Sequence, residues 1–346
     1  MKKLFLAVLA VAALAACKKD ALVQQQEGTA ITFSNAFVDN ATRAVVSDND
    51  PTITTTNIES MRVWGFVSRS SGFIFKNTLV TKKNGVWTYS PPQYWFPGHD
   101  YYFAAVAPVN DNIEVESASG DSAYYGLGTI TFTNDGNTDL LYSATTVSTR
   151  GKSVADTYDP VAFTFNHLLS KVRITFANRF EQNQSNIHTL ELSDITLSNV
   201  PAKASINVAQ ADWWTTNEWV LAGNPTTSFT FNKIENITNG RAKPSDSVHF
   251  LIPTNNVNYK ISFKVTYRIG GVAVIDHVEH VTEITGVNFE IGKAYNLKAE
   301  IGPENISPDG SLKPIEFSAE VKDWDYGNNY GAGIGVPLPG YDLPLE

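Results

Sequence analysis

Lys171-Val172-Arg173-Ile174-Thr175-Phe176 sets Val172, Ile174 and Phe176 on one side of the chain and Lys171, Arg173 and Thr175 on the other. Strict alternation of this kind is the pattern of a half-buried β-strand. Residues 205–208 and 228–231 repeat it, and 260–267, Gly270-Gly271 and 272–275 read as a long hairpin. Ile315, Phe317, Ala319 and Val321 form the last clear strand, ending near Trp324. Upstream, residues 62–67, 86–89, 100–107 and 129–132 carry the aromatic and β-branched side chains that suit a pleated surface. Asn84-Gly85 reads as a hairpin turn, with breaks at Ser90-Pro91-Pro92 and Phe96-Pro97-Gly98. No segment carries a long 3.6-residue period. Strands that recur without intervening helices predict an all-β chain of two sandwich domains. The polar stretch 143–158, with Arg150-Gly151-Lys152, is the expected linker, giving domains at 44–157 and 158–325.

Composition agrees with a folded chain of that size. Of 346 residues 42% are apolar and only 18% charged, which excludes disorder throughout. The net charge of −9 argues against a nucleic-acid surface, which needs clustered positive charge. A single cysteine excludes disulfide scaffolds and cysteine-rich metal sites.

That cysteine has its own explanation. Lys2-Lys3 precedes an apolar run that closes at Leu14-Ala15-Ala16-Cys17, too short to span a bilayer. The run reads as a signal peptide, and its end resembles the bacterial lipobox, whose cysteine is acylated. Residues 18–28 are polar and suit a tether. Ile31, Phe33 and Phe37 then alternate with polar or small residues, as in a lone strand set before another polar stretch. At the other end, Ala332, Ile334, Val336 and Leu338 alternate with Gly333, Gly335, Pro337 and Pro339, after a Gly/Asn-rich lead at 327–331. Proline cannot donate a ladder hydrogen bond, so a central strand is excluded, whereas a strand that adds to an open edge is compatible.

Catalytic patterns are missing. His277 and His280 stand three apart, which on a strand points them to opposite faces, so a shared metal is not expected. No phosphate loop, nucleophile elbow or His-Glu-x-x-His stands in the chain. Nothing marks a carboxylate pair. Trp213, Trp214 and Trp219 are the best residues for a sugar-stacking platform, with core filling as the competing role. No enzyme activity and no cofactor are expected.

Taken in order, several short motifs resemble the fimbrillin family of Bacteroidales, which builds the type V pilus and related surface fibres. They are the lipobox at Cys17, the strand at Ile31 to Phe37 followed by Ala41-Thr42-Arg43-Ala44, and Trp87-Thr88-Tyr89 followed by Gln93-Tyr94-Trp95-Phe96-Pro97. Tyr102-Phe103-Ala104-Ala105-Val106-Ala107-Pro108, Asp139-Leu140-Leu141-Tyr142 and Phe165-Asn166-His167-Leu168-Leu169-Ser170-Lys171-Val172 continue the series. Gly292-Lys293-Ala294-Tyr295-Asn296-Leu297 and Val321-x-x-Trp324 complete it.

The resemblance implies two β-sandwich-like domains of transthyretin-like type. It implies a lipoprotein signal peptide at 1–17, a tether and detachable strand at 18–43, and a donor-strand tail at 326–346. An Arg-specific surface protease would cut between Arg43 and Ala44, removing five Lys/Arg and three Asp/Glu and taking the net charge from −9 to −11. Loss of Ile31, Phe33 and Phe37 would open a groove for Ala332, Ile334, Val336 and Leu338 of the next subunit. The implied partners are other fimbrial subunits in a head-to-tail homo- or hetero-polymer, the protease, outer-membrane lipid before processing, and host proteins or glycans. The implied location is the outer membrane and then the cell-surface fimbrium. The competing expectation is a surface-anchored glycan-binding lipoprotein that does not polymerise.

The lipobox makes a direct prediction: metabolic labelling with a fatty-acid probe marks the wild-type chain and not Cys17→Ser. Equal labelling of both would exclude acylation at this cysteine.

Overall fold

The computed structural model describes residues 28–34, 36–38, 52–54, 56–68, 73–117, 127–181, 187–209, 218–255, 257–306, 313–323 and 336–337. Cys17, Arg43, Ala44, Trp213, Trp214, Ala332, Ile334 and Leu338 lie outside them. Of Phe37 and Val336 the backbone alone is described. The fold is all-β, with no α-helix among the described residues and one short 3-10 turn at Pro303–Asn305.

Four sheets carry the chain. The first has seven strands in the order Phe37–Val38, Thr164–His167, Leu141–Ser148, Asp100–Ala107, Ser60–Val67, Phe73–Lys83 and Val86–Thr88. Only its Phe37–Val38 edge runs parallel to its neighbour. The second sheet orders Val220–Leu221, Lys203–Asn207, Leu127–Thr133 and Ile113–Ser117. The third orders Phe317–Asp323, Lys293–Ile301, Ser170–Asn178, Arg241–Pro244 and Val336–Pro337, with His249–Leu251 also on Ser170–Asn178. The fourth orders Thr226–Thr230, His188–Pro201, Tyr259–Ile269 and Val272–Ile284, with Ile234–Thr238 also on His188–Pro201.

Alternation decides which core each residue enters. Along Asp100–Ala107, Tyr101, Phe103, Ala105 and Ala107 enter one core while Ala104 and Val106 enter another. The middle of the first sheet is therefore buried on both faces. Ile130 and Phe132, together with Ala204 and Ile206, cover one of them, joined by Trp64 and Tyr142. The third and fourth sheets enclose a separate core built on Val172, Ile174, Phe176, Leu197, Ile261 and Phe263.

Strand pairing crosses the expected boundary at 157/158. Thr164–His167 pairs with Leu141–Ser148 and completes the first sheet, and Lys203–Asn207 returns to pair with Leu127–Thr133. Of the stretch 143–158, read from the sequence as a linker, the first six residues belong to the strand Leu141–Ser148. Ser and Thr mislead there because that end of the strand has a solvent-exposed face, occupied by Ala144, Thr146 and Ser148.

The two halves meet at Gly136. Its carbonyl oxygen accepts from Phe250 N–H at 2.9 Å and lies 3.2 Å from His249 Nδ1, while His249 Nε2 lies 3.0 Å from the Thr230 carbonyl. The His249 ring stacks on Phe229 at 5.2 Å and meets Phe231 edge-on at 4.7 Å. Gly136 adopts φ +74°, and a Cβ there would stand 2.6 Å from the Phe229 ring. Both the left-handed backbone and the contact oppose any side chain. Gly136→Ala is accordingly expected to cost about 1–3 kcal/mol, read as a lower urea midpoint with an unchanged slope.

Candidate functional site

The segment 28–38 is held on the first sheet by few backbone bonds and several deeply buried side chains. At its start, Ile31 N–H donates to Gln93 O at 2.8 Å and Trp95 N–H donates to Thr29 O at 3.0 Å, an antiparallel contact. Farther on it runs parallel to 161–165. Val161 N–H donates to Thr32 O at 2.8 Å, Ser34 N–H donates to Val161 O at 3.0 Å, and Phe37 and Val38 pair with Thr164 and Phe165. Tyr89 Oη donates to Ile31 O at 2.7 Å, and burial pushes the Tyr89 pKa up, so the phenol stays a donor.

Phe33 enters an aromatic pocket. Its ring lies 5.6 Å from both Phe75 and Tyr89, edge-on in each case, and stacks on Phe163 at 5.8 Å. Such pairs add about 0.5–1.5 kcal/mol beyond area burial. The buried series is Ile31, Phe33, Ala36 and Val38, at 1%, 7%, 1% and 0% exposure. Simple alternation through Phe37 would have given a different third member. Phe33 lies beside Val161 but Phe37 beside Thr164, so the register slips by one residue in between. Ala36 and Val38 are the residues that sequence reasoning missed. No local pattern marks the slip, because it depends on a partner strand far away in the chain.

A second anchor holds the chain beyond residue 51. Ile53 N–H donates to Asp139 Oδ2 at 2.7 Å, and Lys171 Nζ donates to Thr52 Oγ1 at 2.8 Å. Asp139, 1% exposed, also meets His167 Nδ1 at 2.8 Å, which ties this anchor to the end of the strand Thr164–His167. Arg43 and Ala44 thus fall, in sequence, between two anchored stretches.

Arg150, the other arginine in a polar stretch, sits in a tight frame. Its guanidinium clasps Asp100 through Nε at 2.9 Å and 3.0 Å and through Nη2 at 2.5 Å. Its neighbour Thr149 is fully buried, with N–H on His99 O at 2.8 Å and O accepting from Gly98 N–H at 2.9 Å.

Among the described residues the tail meets its own chain at one place. Val336 and Pro337 pair with Ala242 and Arg241 at the edge of the third sheet. An edge is where a proline is tolerated, as its sequence implies.

The remaining candidates are not brought together. Trp219 is 8% exposed and its indole N–H donates to Leu168 O at 3.1 Å, so it fills core and offers no stacking face. His280 stacks on Phe263 at 5.4 Å in the third-and-fourth-sheet core, while His277 lies exposed beside Asp276. Among the described residues no group of three or more His, Cys, Asp or Glu is placed to hold a metal. None of the described helices is long and apolar enough to cross a membrane.

A family profile described as fimbrillin-like matches residues 42–324. In structure the chain is similar to a fimbrial protein from Bacteroides vulgatus, at 14% identity and a TM-score of 0.53, over 85% of this chain and 99% of that one. It is also similar to the fimbrial anchor protein Mfa2 from Porphyromonas gingivalis, at 13% identity and a TM-score of 0.34, over 77% of this chain and 90% of that one. No curated protein matches the chain.

The pocket geometry predicts the effect of emptying it. Phe33→Ala in the uncleaved precursor is expected to lower stability by about 3–5 kcal/mol, measured by urea unfolding. A loss below about 1 kcal/mol would mean that the seat does not hold its ring as described.

Proposed function

The chain belongs to the fimbrillin-like family, a family of structural and non-enzymatic proteins, and from that premise we propose how it assembles into a cell-surface fimbrium. It is made as an outer-membrane lipoprotein precursor acylated at Cys17. An Arg-specific surface protease cuts between Arg43 and Ala44. The strand carrying Ile31, Phe33 and Phe37 then leaves the first sheet, and the apolar carboxy-terminal tail of another subunit takes its place. The resulting fibre contributes to adhesion to host proteins or glycans.

One observation carries this reading. The segment 28–38 is an edge piece whose side chains are core residues, yet it is joined to the body only through residues 39–51. While that link is intact, the segment is present at very high effective concentration over its groove. Cutting the link converts an intramolecular contact into a dissociable one. The anchor at Asp139 and Lys171 keeps the new amino-terminal stretch on the body. Departure of the strand exposes Val161 N–H and O, Gln93 O and Trp95 N–H together with the aromatic pocket, a surface that favours refilling by another strand.

Three apolar tail residues are worth about 2–3 kcal/mol each on burial. Among the described residues the competing contact of the tail with its own chain is a two-residue pairing at a sheet edge. A tail from one subunit in the groove of the next is a heterologous contact that does not close, so it propagates into a filament.

Backbone protection supports this choice of site. A protease must draw an extended stretch of chain into its cleft; Arg150 is itself exposed, but the buried, hydrogen-bonded Thr149 before it and the clasp of its guanidinium on Asp100 oppose that. Limited trypsin digestion with mass spectrometry should yield a stable fragment beginning at Ala44; one beginning at Gly151 would contradict this. Val336→Asp should give a monomer that folds and is cut normally yet forms no filaments in electron micrographs, because a charge in an apolar groove costs several kcal/mol. Wild-type filaments from that variant would remove the tail from the assembly scheme.

A further inference from the structure

The groove left by 28–38 has an uneven spacing. Among the described side chains its buried positions are 31, 33, 36 and 38, with steps of two, three and two residues. A strand that alternates strictly, such as Ala332, Ile334, Val336 and Leu338, matches only half of it. The tail contains one apolar series with the same steps: Val336, Leu338, Tyr341 and Leu343. The step of three spans Pro339-Gly340, where a strand readily changes register. The series reads the same from either end, so spacing alone leaves its direction open.

Two features of the groove decide the direction. Placed in the direction of the departing segment, the series would put Tyr341 at Ala36, a site 1% exposed and filled by a methyl group. It would also put Pro339 at Ser34, whose N–H serves Val161 O at 3.0 Å, and proline has no N–H to give. Placed in the opposite direction, Leu343 takes the site of Ile31, Tyr341 the aromatic pocket of Phe33, Leu338 the site of Ala36 and Val336 that of Val38. Leu338 is then the one marked enlargement. Asp342 falls at Thr32, which is exposed, so its charge stays in water.

The backbone agrees with this placement. Val161 turns its N–H and O to the groove, and by the alternation of a strand Phe163 and Phe165 do the same. Antiparallel to them, Tyr341, Leu338 and Val336 face these three residues, and each has an N–H to donate. Pro337 and Pro339 fall at positions whose nitrogen points away from that strand.

On the strand-exchange reading above, we infer that the groove receives residues 336–343 of a second copy of this chain, running opposite to the segment they replace, with Tyr341 in the Phe33 pocket. Ala332 and Ile334 then precede the groove and serve as part of the lead.

Cysteine cross-linking tests the direction. Thr164 is exposed beside the groove, and cleavage after Arg43 removes the native cysteine. In the inferred placement Thr164 faces Pro337 as a non-hydrogen-bonded pair, close enough for a disulfide; in the opposite direction it faces Asp342. Full-length double variants Thr164→Cys/Pro337→Cys and Thr164→Cys/Asp342→Cys are cleaved, assembled, oxidised and run on non-reducing gels. A ladder of cross-linked subunits from the first and not the second is expected. A ladder from the second, or filaments with neither cross-link, overturns the inference while leaving strand exchange standing. If the cleaved wild-type chain forms no filaments, strand exchange itself fails and the inference with it. A second arm uses charge: Leu343→Asp should lower filament yield at least tenfold, while Ile334→Asp stays within twofold of wild type. Equal losses from both variants would overturn the register, and far-UV circular dichroism of the uncleaved precursors checks that each variant folds.

Discussion

The seating of Phe33 among Phe75, Tyr89 and Phe163 is the contact on which the first half of the molecule depends. The seven-stranded sheet has two apolar faces, and a sheet with both faces apolar needs two covers. One cover is a sheet of four strands, including Lys203–Asn207 from the later part of the chain. The other includes a short segment at the amino-terminal end, contributing Ile31, Phe33, Ala36 and Val38 to the same core as Tyr101 and Phe103. A core that relies on so short a cover would be incomplete without it.

Attachment is divided between two anchors of different chemistry. The segment itself is held by apolar burial and a few edge hydrogen bonds, interactions that any strand with suitable side chains can reproduce. The chain beyond residue 51 is held by Asp139, His167 and Lys171, which demand particular partners at particular distances. The first kind of contact is exchangeable and the second is not. In the proposed scheme a cut between them would release one stretch without loosening the other.

The edge that such a release would open is also one at risk of non-specific pairing. Its defences are built in: an uneven register, an aromatic pocket at one position and a small site at another. A regular alternating strand satisfies some of these but not all. Discrimination between occupants rests on such mismatches as much as on attraction. The −9 net charge of the chain adds a general repulsion between copies, which the specific contact must overcome.

Much of this was legible in the linear chain. Alternation at 171–176, 100–107 and 260–267 specifies strands because side chains on a strand face opposite ways whatever the fold. The burial of Ile31 and Phe33 and the separation of His277 from His280 follow from the same rule. Tertiary structure decided the rest. The slip between Phe33 and Phe37 exists only because 161–165 offers a partner with its own register. His188–Pro201 was not recognised as a strand because register shifts and the positive φ of Asp194 and Asn199 break its alternation. Trp219 became core through one hydrogen bond to Leu168 O and the cover it gives the first sheet. Periodicity records which face a residue takes within its own strand, but which strand lies beside it is settled by pairing between segments distant in the chain, and that pairing leaves no mark on the local sequence.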